Sequence, residues 1–448
     1  MATTFLTKTL SASPTDNNKW TFSCWFKRTG FETQTLIYSN DGSTSNVTEV
    51  AISDAAKMVF QNKVGGSTTM NLTTNRLFRD VSAFYHVVAV FDSSNSTEAD
   101  RQIIYINGVR ETSFATNNPA SLNEVSTINS GNVAKIGKGN TSEYFNGLMS
   151  YVAFVDGTAE LPGIFGETDT TTGQWKIKTD ITPSVAWGTN GFLILKNGNS
   201  LTDESTNSNN FTLGGGTLTN TEDCPDNNYP SVNINTGKVT DYLNSTGLRY
   251  GNTQINQTGS PGVFISTLAN TTGKYYWEML IDTVGYTTQG VIAYDALVQN
   301  GSVIYLYTPA TGYGYVYTGN KGNNNSQVSY GDSYTSGDYI SVAFDQTNGS
   351  IWFAKNGVWQ NNATTAEIGA GTTTYAAYSS MPTNGEFYAP AFGLDNSAVS
   401  SINYGNGTFG TTTLSTTYSP TVGDTGAKFK YNIIPTGFTA LSTKGLNL

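Results

Sequence analysis

The chain of 448 residues is poor in charged groups, and this shortage excludes several classes of partner. Charged residues make up only 12% of the sequence, and the formal net charge is −10. Phosphate groups are bound by clustered Lys and Arg, so we expect no nucleic-acid partner and no attraction to anionic membranes. No apolar run approaches the roughly 18 residues that a membrane-spanning helix needs. The N-terminus also lacks the basic and apolar regions of a secretory leader, and we expect none.

Two cysteines and one histidine leave little material for a disulfide framework or a zinc site. Cys24 alternates with apolar residues, whereas Cys224 lies in a polar stretch, so we expect free thiols, with a disulfide between them as the alternative. His86 lies inside an alternating strand pattern, which favours packing over catalysis. The paired acids of a glycoside hydrolase strand are missing as well, so we expect no enzyme. A polysaccharide-degrading enzyme is kept as a further alternative.

The chain is rich in glycine and aromatic residues, with 47 Gly, 26 Tyr and 22 Phe. Strand-like apolar alternation recurs about every 10–20 residues, and no long amphipathic helical pattern competes with it. In the N-terminal half these runs lie at 20–28, 35–39, 49–53, 57–61, 84–91, 102–106, 133–137 and 147–155. The pattern predicts an all-β chain made of antiparallel β-sandwich (jelly-roll) domains.

One hairpin pattern occurs in both halves, at 103–110 and at 351–359. Each copy is a β-prone run, then Asn-Gly, then a return strand. Asn-Gly supplies the two positive φ angles that a type I′ turn requires. Each copy also follows a strand that ends in aspartate, Asp92 or Asp345. The repetition predicts two domains that share one β-architecture.

A polar, glycine-rich stretch from 197 to 230 separates the two halves. We place the domain boundary near residue 225, which gives domains 1–225 and 226–448. Each domain then has about 200 residues, a size that can bury a core of its own. The first domain ends in a less regular segment and the second in a C-terminal tail.

The sequence Tyr-His-Val-Val-Ala-Val-Phe-Asp at 85–92 is followed by Ile-Tyr-Ile-Asn-Gly-Val at 104–109 and by the run 136–152. Together these segments resemble laminin-G-like, concanavalin A-like jelly rolls, with Tyr85 where that pattern usually has Trp. The resemblance covers roughly 15–160 and implies a concanavalin-like sandwich.

In the second half, Lys-Tyr-Tyr-Trp-Glu at 274–278 and the segments 337–345 and 351–357 resemble a SPRY domain. This resemblance covers roughly 250–410. SPRY domains belong to the same class of sandwich, which accounts for the repeated hairpin.

Four further segments resemble stretches in structural proteins of tailed phages, marine phages in particular: 165–176, 188–192, 218–227 and 434–443. The resemblance implies a virion protein that is assembled in the host cytoplasm, with capsid or tail proteins as partners and a homo-oligomer among the expected states. Two functions follow. One is a fibre or adhesin module that recognises a host-surface glycan or protein. The other is a capsid decoration or capsid-fibre protein that binds only other virion subunits.

Five tyrosines form the candidate binding residues. Tyr313, Tyr315 and Tyr317 alternate along one predicted strand, and Tyr305 and Tyr307 alternate along the strand before it. Residues of one parity share a sheet face, so the five side chains are expected on one surface. Such a surface either binds sugars or a protein partner or packs in the core with its hydroxyls at the rim, and both interpretations stay open.

Asp41, Asp92 and Asp156 border predicted strands and are the candidate calcium ligands. Sandwiches of this type often hold Ca²⁺ on rim loops through carboxylate and carbonyl oxygens. The alternative is that aspartate favours these turns because it bonds its own backbone. Structural calcium is the one cofactor for which the sequence offers candidate ligands.

Overall fold

The computed structural model describes residues 3–233, 247–257, 261–299 and 305–446. The chain divides into two compact units, Met1–Leu218 and Thr219–Leu448, called here the first and second units. In both units nearly all strand pairs are antiparallel, which confirms the predicted all-β fold class of two sandwiches. In the described residues no helix is long and apolar enough to cross a membrane.

The first unit is built from strands joined by short turns and by 3₁₀ helices at Glu98–Asp100, Pro162–Ile164 and Thr182–Ser184. In chain order its strands are β1 (Phe5–Thr9), β2 (Lys19–Arg28), β3 (Gln34–Asn40), β4 (Val47–Ile52), β5 (Lys57–Val64), β6 (Ser67–Leu77), β7 (Tyr85–Asp92), β8 (Gln102–Ile106), β9 (Val109–Arg110), β10 (Phe114–Asn118), β11 (Val133–Ile136), β12 (Gly147–Asp156), β13 (Gly166–Thr168), β14 (Trp175–Ile177), β15 (Phe192–Ile194) and β16 (Thr212–Gly215).

Two sheets of the first unit enclose its main core. The eight-stranded sheet has the order β10-β6-β5-β4-β3-β11-β1-β16, and the six-stranded sheet has the order β15-β12-β2-β7-β8-β9. Alternate residues of β2 face this core, among them Trp20, Phe22 and Cys24, which are fully buried. Burial raises the pKa of the Cys24 thiol. Both Cys24 and Cys224 are free, as predicted.

A second apolar layer covers the outer face of the six-stranded sheet. Val88 and Val90 of β7 pack there against Phe165, Ile181 and Trp187, which belong to the irregular segment that follows β12. Strand β7 is therefore buried on both faces, which explains its nearly continuous run of apolar residues. The segment without a regular sequence pattern acts as a cover.

The second unit repeats the sandwich and adds helices α1 (Tyr294–Gln299), α2 (Thr365–Gly369) and α3 (Thr443–Leu446). Its strands are β17 (Leu248–Arg249), β18 (Gln254–Asn256), β19 (Gly262–Ile265), β20 (Lys274–Thr283), β21 (Tyr286–Ala293), β22 (Gly312–Val316), β23 (Asn320–Asn323), β24 (Ser326–Ser329), β25 (Tyr339–Asp345), β26 (Ser350–Lys355), β27 (Val358–Trp359), β28 (Tyr388–Asp395), β29 (Val399–Asn403), β30 (Thr408–Phe409), β31 (Thr412–Thr413) and β32 (Thr439–Ala440).

One sheet of the second unit has the order β17-β18-β29-β20-β25-β26-β27, with β32 beside β20, and the other has the order β19-β28-β21-β22-β23-β24. Trp277 of β20 and Phe353 of β26 are fully buried in its core. On the other face of β20, the ring of Tyr276 meets that of Phe429 at a centroid distance of 4.8 Å. The C-terminal tail thus covers the outer face of this sheet.

The repeated hairpin has the same geometry in both units. Asn107 and Gly108 have φ angles of 48° and 79°, and Asn356 and Gly357 have φ angles of 48° and 83°, which confirms the type I′ turns. Each turn asparagine also bonds a residue near the start of an adjacent strand, which is Tyr339 for Asn356 and His86 for Asn107. The Asn356 side chain accepts from the Tyr339 N–H at 2.8 Å, and its own N–H donates to the Tyr339 carbonyl at 2.8 Å. Asn107 makes the same two bonds to its neighbouring strand.

The residues just before the predicted boundary at 225 belong to the second unit by their contacts. The Glu222 carboxylate pairs with the Lys428 ammonium at 2.5 Å, and the Glu222 N–H donates to the Asn406 carbonyl at 3.0 Å. The division therefore falls between Leu218 and Thr219.

Candidate functional site

His86 is buried in an aromatic stack of the first unit. Its ring lies 4.5 Å from the Trp25 ring and 6.0 Å from the Trp175 ring, nearly parallel to both. The Trp175 indole N–H donates to Nδ1 at 3.0 Å, so the imidazole proton lies on Nε2 and is donated to Ser23 Oγ at 2.8 Å. A nitrogen that donates to the serine cannot take its proton, so this pair is not a nucleophile with its base.

Burial lowers the pKa of His86 to about 3, from an ordinary value of 6.5. Because His86 is the single histidine, its ring signals in a ¹H–¹³C spectrum can be assigned without ambiguity. We expect these signals to stay fixed between about pH 8 and pH 5, while free imidazole in the same tube titrates. A titration midpoint near 6.5 in the folded chain would contradict the buried, neutral imidazole.

The five predicted tyrosines do not share one surface. Tyr315 is fully buried, and its hydroxyl donates to the Asp332 carbonyl, so the polar atom is satisfied inside. Tyr313 is 7% exposed and packs against Tyr378 at 5.0 Å. The predicted common surface is therefore wrong for Tyr313 and Tyr315, and the core-packing alternative holds for these two.

Gly312 and Gly314 alternate with Tyr313 and Tyr315, and they explain which face of β22 is covered by another part of the chain. A Cβ on Gly312 would lie 2.0 Å from the Leu306 carbonyl oxygen, and one on Gly314 would lie 2.5 Å from the Thr288 side chain. The glycines thus let the chain around Leu306 lie directly on the outer face of β22. Tyr305 and Tyr307 belong to this covering turn and not to a strand, which corrects the predicted strand.

Three of the five tyrosines do meet, together with a fourth that the sequence pattern did not indicate. Tyr286, Tyr305, Tyr307 and Tyr317 form what we call the tyrosine cluster. The Tyr286 ring lies 4.9 Å from Tyr305 and 5.4 Å from Tyr317, and its hydroxyl is 2.7 Å from that of Tyr307. Gln327 Nε2 donates to the same Tyr286 hydroxyl at 3.1 Å. Tyr307 is buried, whereas the other three rings are half-buried and reach the surface.

The tyrosine cluster has features of a recognition surface. Partial burial raises the pKa of Tyr286, and the Tyr307 hydroxyl adds a smaller effect in the same direction. The phenol of Tyr286 therefore stays neutral at physiological pH. The cluster therefore offers aromatic faces and neutral hydroxyl groups side by side. This combination suits stacking on a sugar ring or anchoring a protein partner.

Asp156 has its carboxylate fully engaged by the protein. It accepts hydrogen bonds from the backbone N–H groups of Thr15 at 2.7 Å and Asn190 at 3.0 Å. It also accepts from the Asn129 side chain at 2.7 Å and from the Asp16 N–H at 3.2 Å. The residue is 1% exposed and ties three loops together, so its oxygens are not directed at an open calcium position.

Asp92 forms an ion pair that recurs in the second unit. Its carboxylate lies 3.4 Å from the Lys19 ammonium, and the corresponding Asp345 lies 3.2 Å from Lys274. In both units the lysine begins a central strand and the aspartate ends its neighbour. The repeated ion pair explains why an aspartate ends the strand in both units.

Asp41 lies on an exposed turn apart from that pair. Its carboxylate accepts from the Asn46 side chain at 2.6 Å and from the Ser43 N–H at 3.0 Å, and these bonds lower its pKa. The turn-forming alternative therefore describes Asp41 well. Within the residues that the structure describes, no group of three His, Cys, Asp or Glu is placed to hold a metal, and the three candidate ligands do not converge.

A buried carboxylate in the second unit was not predicted from the sequence. Glu278 on β20 is fully buried and accepts from the backbone N–H groups of Lys430 at 2.8 Å and Tyr431 at 3.0 Å. Tyr276 and Asn403 add side-chain hydrogen bonds at 3.1 and 3.3 Å. Burial raises the pKa of Glu278 to about 7, although the four donors act in the opposite direction. The carboxylate holds the C-terminal tail against β20.

An open cleft of about 570 Å³ lies where β21 ends and β28 begins. Two exposed rings line this cleft: Tyr294 is 38% exposed and Phe387 is 58% exposed. Their backbones are joined, because the Tyr294 N–H donates to the Phe387 carbonyl at 2.8 Å. The polar side chains around these rings are those of Thr267, Asp295, Asn384 and Glu386.

Little in the sequence indicates this cleft or the role of Glu278. The cleft is assembled from residues that are far apart in the chain, and only the Phe387-Tyr388 doublet at a strand start marks it locally. Glu278 follows Trp277 in a β-prone run, where an acid among aromatic residues is the one local signal of a buried carboxylate.

Two family models match the chain. Residues 6–161 match a laminin-G model described as the concanavalin A-like lectin/glucanases superfamily, and residues 274–407 match the SPRY domain. Both predicted resemblances are therefore confirmed. No curated protein gives a significant match.

Three solved structures each match about a third of this chain. The SPRY domain of human HERC1 is 19% identical, with 34% of this chain and 87% of that chain covered and a TM-score of 0.26. A heptameric SAP-like pentraxin from Limulus polyphemus is 14% identical, with 34% and 69% covered and a TM-score of 0.26. A human SPRY domain is 16% identical, with 35% and 94% covered and a TM-score of 0.25. At these TM-scores the likenesses imply nothing about function.

The family matches fall one in each compact unit. The first unit therefore carries a laminin-G-like domain of the concanavalin A-like lectin/glucanases superfamily, and the second unit carries a SPRY domain.

Proposed function

We propose that this protein is a structural component on the exterior of a tailed-phage particle, where it recognises a glycan or protein on the host surface. The observation that carries the proposal is the tyrosine cluster of the second unit, which presents half-buried rings and neutral hydroxyls at the surface. Support for the particle comes from the four segments that resemble phage structural proteins. Low charge also suits recognition of neutral, hydroxyl-rich ligands, because little desolvation opposes binding.

The capsid decoration function is the second proposal, since the same aromatic surface would also suit a neighbouring virion subunit. The two proposals differ in where the chain lies on the particle. Gold-labelled antibodies against the chain would mark the tail tip for an adhesin and the head lattice for a decoration protein.

The recognition proposal predicts that Tyr305→Ala and Tyr317→Ala weaken binding of the purified chain to surface polysaccharides of the host. We expect a loss of about 1–3 kcal/mol for the better-placed ring, measured by surface plasmon resonance. The melting temperature should change little, because both rings are only half-buried in the free chain.

Tyr250→Ala is the matched control, since it removes an exposed tyrosine ring of the same unit outside the cluster. If the tyrosine variants bind the polysaccharides as tightly as the unmodified chain, the cluster is not the recognition surface.

A further inference from the structure

We propose that the cleft beside Tyr294 and Phe387 is a second glycan site, and that it takes a positively charged amino-sugar residue. The proposal rests on the proposed function, because it gives the recognition module a second ligand class. The cleft lies where β21 ends and β28 begins, just beyond the paired residues Ala293 and Tyr388.

The two exposed rings supply the sugar-binding surface. Phe387 is 58% exposed, which is unusual for a phenylalanine that directly precedes a fully paired core strand. Tyr294 stands beside it, held by the backbone hydrogen bond of 2.8 Å between the two residues. Neighbouring aromatic faces at the wall of an open cleft can pack against the C–H face of a sugar ring.

The two carboxylates supply the preference for charge. Asp295 and Glu386 both lie in the lining of the cleft. Both acids therefore contribute negative charge to the same cleft. An ammonium group there gains Coulombic attraction from both acids and a cation–π contact with the adjacent rings.

The remaining polar groups suit a sugar. Asn384 and Thr267 add an amide and a hydroxyl to the lining. Both can donate to and accept from the hydroxyl groups of a pyranose ring. A cleft of about 570 Å³ is in the range of small-ligand sites and holds one or two such rings.

The test is calorimetric titration of the full chain with a glucosamine hexamer and with its N-acetylated counterpart, at mildly acidic pH where the free amines are charged. We expect the glucosamine hexamer to bind about tenfold more tightly, and added salt to reduce this difference. Phe387→Ala should weaken binding of the glucosamine hexamer by about tenfold, and Glu386→Gln should weaken it while leaving the acetylated hexamer unaffected.

Two control variants distinguish binding at this cleft from binding elsewhere on the chain. Glu98→Gln removes one exposed carboxylate from the first unit. If it weakens binding of the glucosamine hexamer as much as Glu386→Gln does, the hexamer is attracted only by the net negative charge of the chain. Tyr305 lies in the tyrosine cluster and not in the cleft. The variant Tyr305→Ala should therefore bind the glucosamine hexamer as the unmodified chain does, even if it no longer binds host polysaccharides. Absence of binding, equal affinity for the two hexamers, or indifference to Phe387→Ala would each overturn the proposal.

Discussion

Replacing Tyr315 with alanine is expected to lower the free energy of unfolding of the second unit by about 3–5 kcal/mol. The side chain is fully buried, and its ring stacks on Phe353 at 5.4 Å and contacts Tyr330 and Tyr334 at 5.6 and 5.3 Å. Truncation therefore leaves a cavity that the surrounding rings, held by their own strands and turns, cannot fill. Denaturant titration of the full chain, with hydrogen exchange of β22 and β26 as the local probe, measures the loss.

Tyr317→Ala is the matched control, because Tyr317 is only two residues away in the chain and is half-buried. We expect it to cost about 1 kcal/mol, since less apolar area is lost. Tyr315→Phe should cost about 1–3 kcal/mol, because the Asp332 carbonyl loses the hydroxyl that donates to it. Equal losses for Tyr315→Ala and Tyr317→Ala would contradict the buried position of Tyr315.

The tyrosines show what alternation can and cannot predict. The spacing of Tyr313 and Tyr315 correctly places both on one face of a strand, since parity is a property of the extended backbone. Parity does not say which face is covered. That depended on Gly312 and Gly314, which admit the turn around Leu306 onto the opposite face. A glycine in every second position of a strand is the local signal that another backbone approaches closely.

The strands themselves were predictable where their apolar residues are dense. The runs predicted at 20–28 and 84–91 correspond to Lys19–Arg28 and Tyr85–Asp92. Strand β6, Ser67–Leu77, was missed. Its outward positions are Thr and Asn, and only a few apolar side chains mark its inward face, so the sequence resembles a polar loop.

The candidate sites were less accessible to sequence reasoning than the fold. Asp92 was predicted as a site residue because it ends a strand, but its ion pair with Lys19 depends on the pairing of β2 with β7. The cleft needs Tyr294 and Phe387 to become neighbours through the pairing of β21 with β28. Contacts of this kind are set by sheet order, which the local pattern does not contain.

Glu278 is the residue whose titration should affect stability most. Its pKa of about 7 in the folded chain lies above the ordinary value of 4.5, chiefly because of burial. Between these two pH values the folded chain binds more protons at this site than the unfolded chain does. The stability that protonated Glu278 contributes is therefore fully present below about pH 4.5 and is lost as the pH rises through 7.

We expect this dependence to disappear in Glu278→Gln, because glutamine keeps an acceptor oxygen but does not titrate. The free energy of unfolding of the unmodified chain, minus that of the variant, should fall by on the order of 2–4 kcal/mol between about pH 4.5 and pH 7. Denaturant titrations at several pH values in this window measure the difference. Only the difference is informative, since every other acid titrates equally in both chains.

Asp169→Asn provides a control with a different pH window. Backbone hydrogen bonds from Thr172 and Thr171 lower the pKa of Asp169 to about 2, so its contribution is lost only as the pH falls below its ordinary value of 3.8. The free energy of unfolding of the unmodified chain, minus that of Asp169→Asn, should therefore stay constant between about pH 4.5 and pH 7. If Glu278→Gln is equally flat, the carboxylate is ionised throughout this window. The four hydrogen-bond donors around it then outweigh the cost of its burial, and the C-terminal tail is held by a charged group.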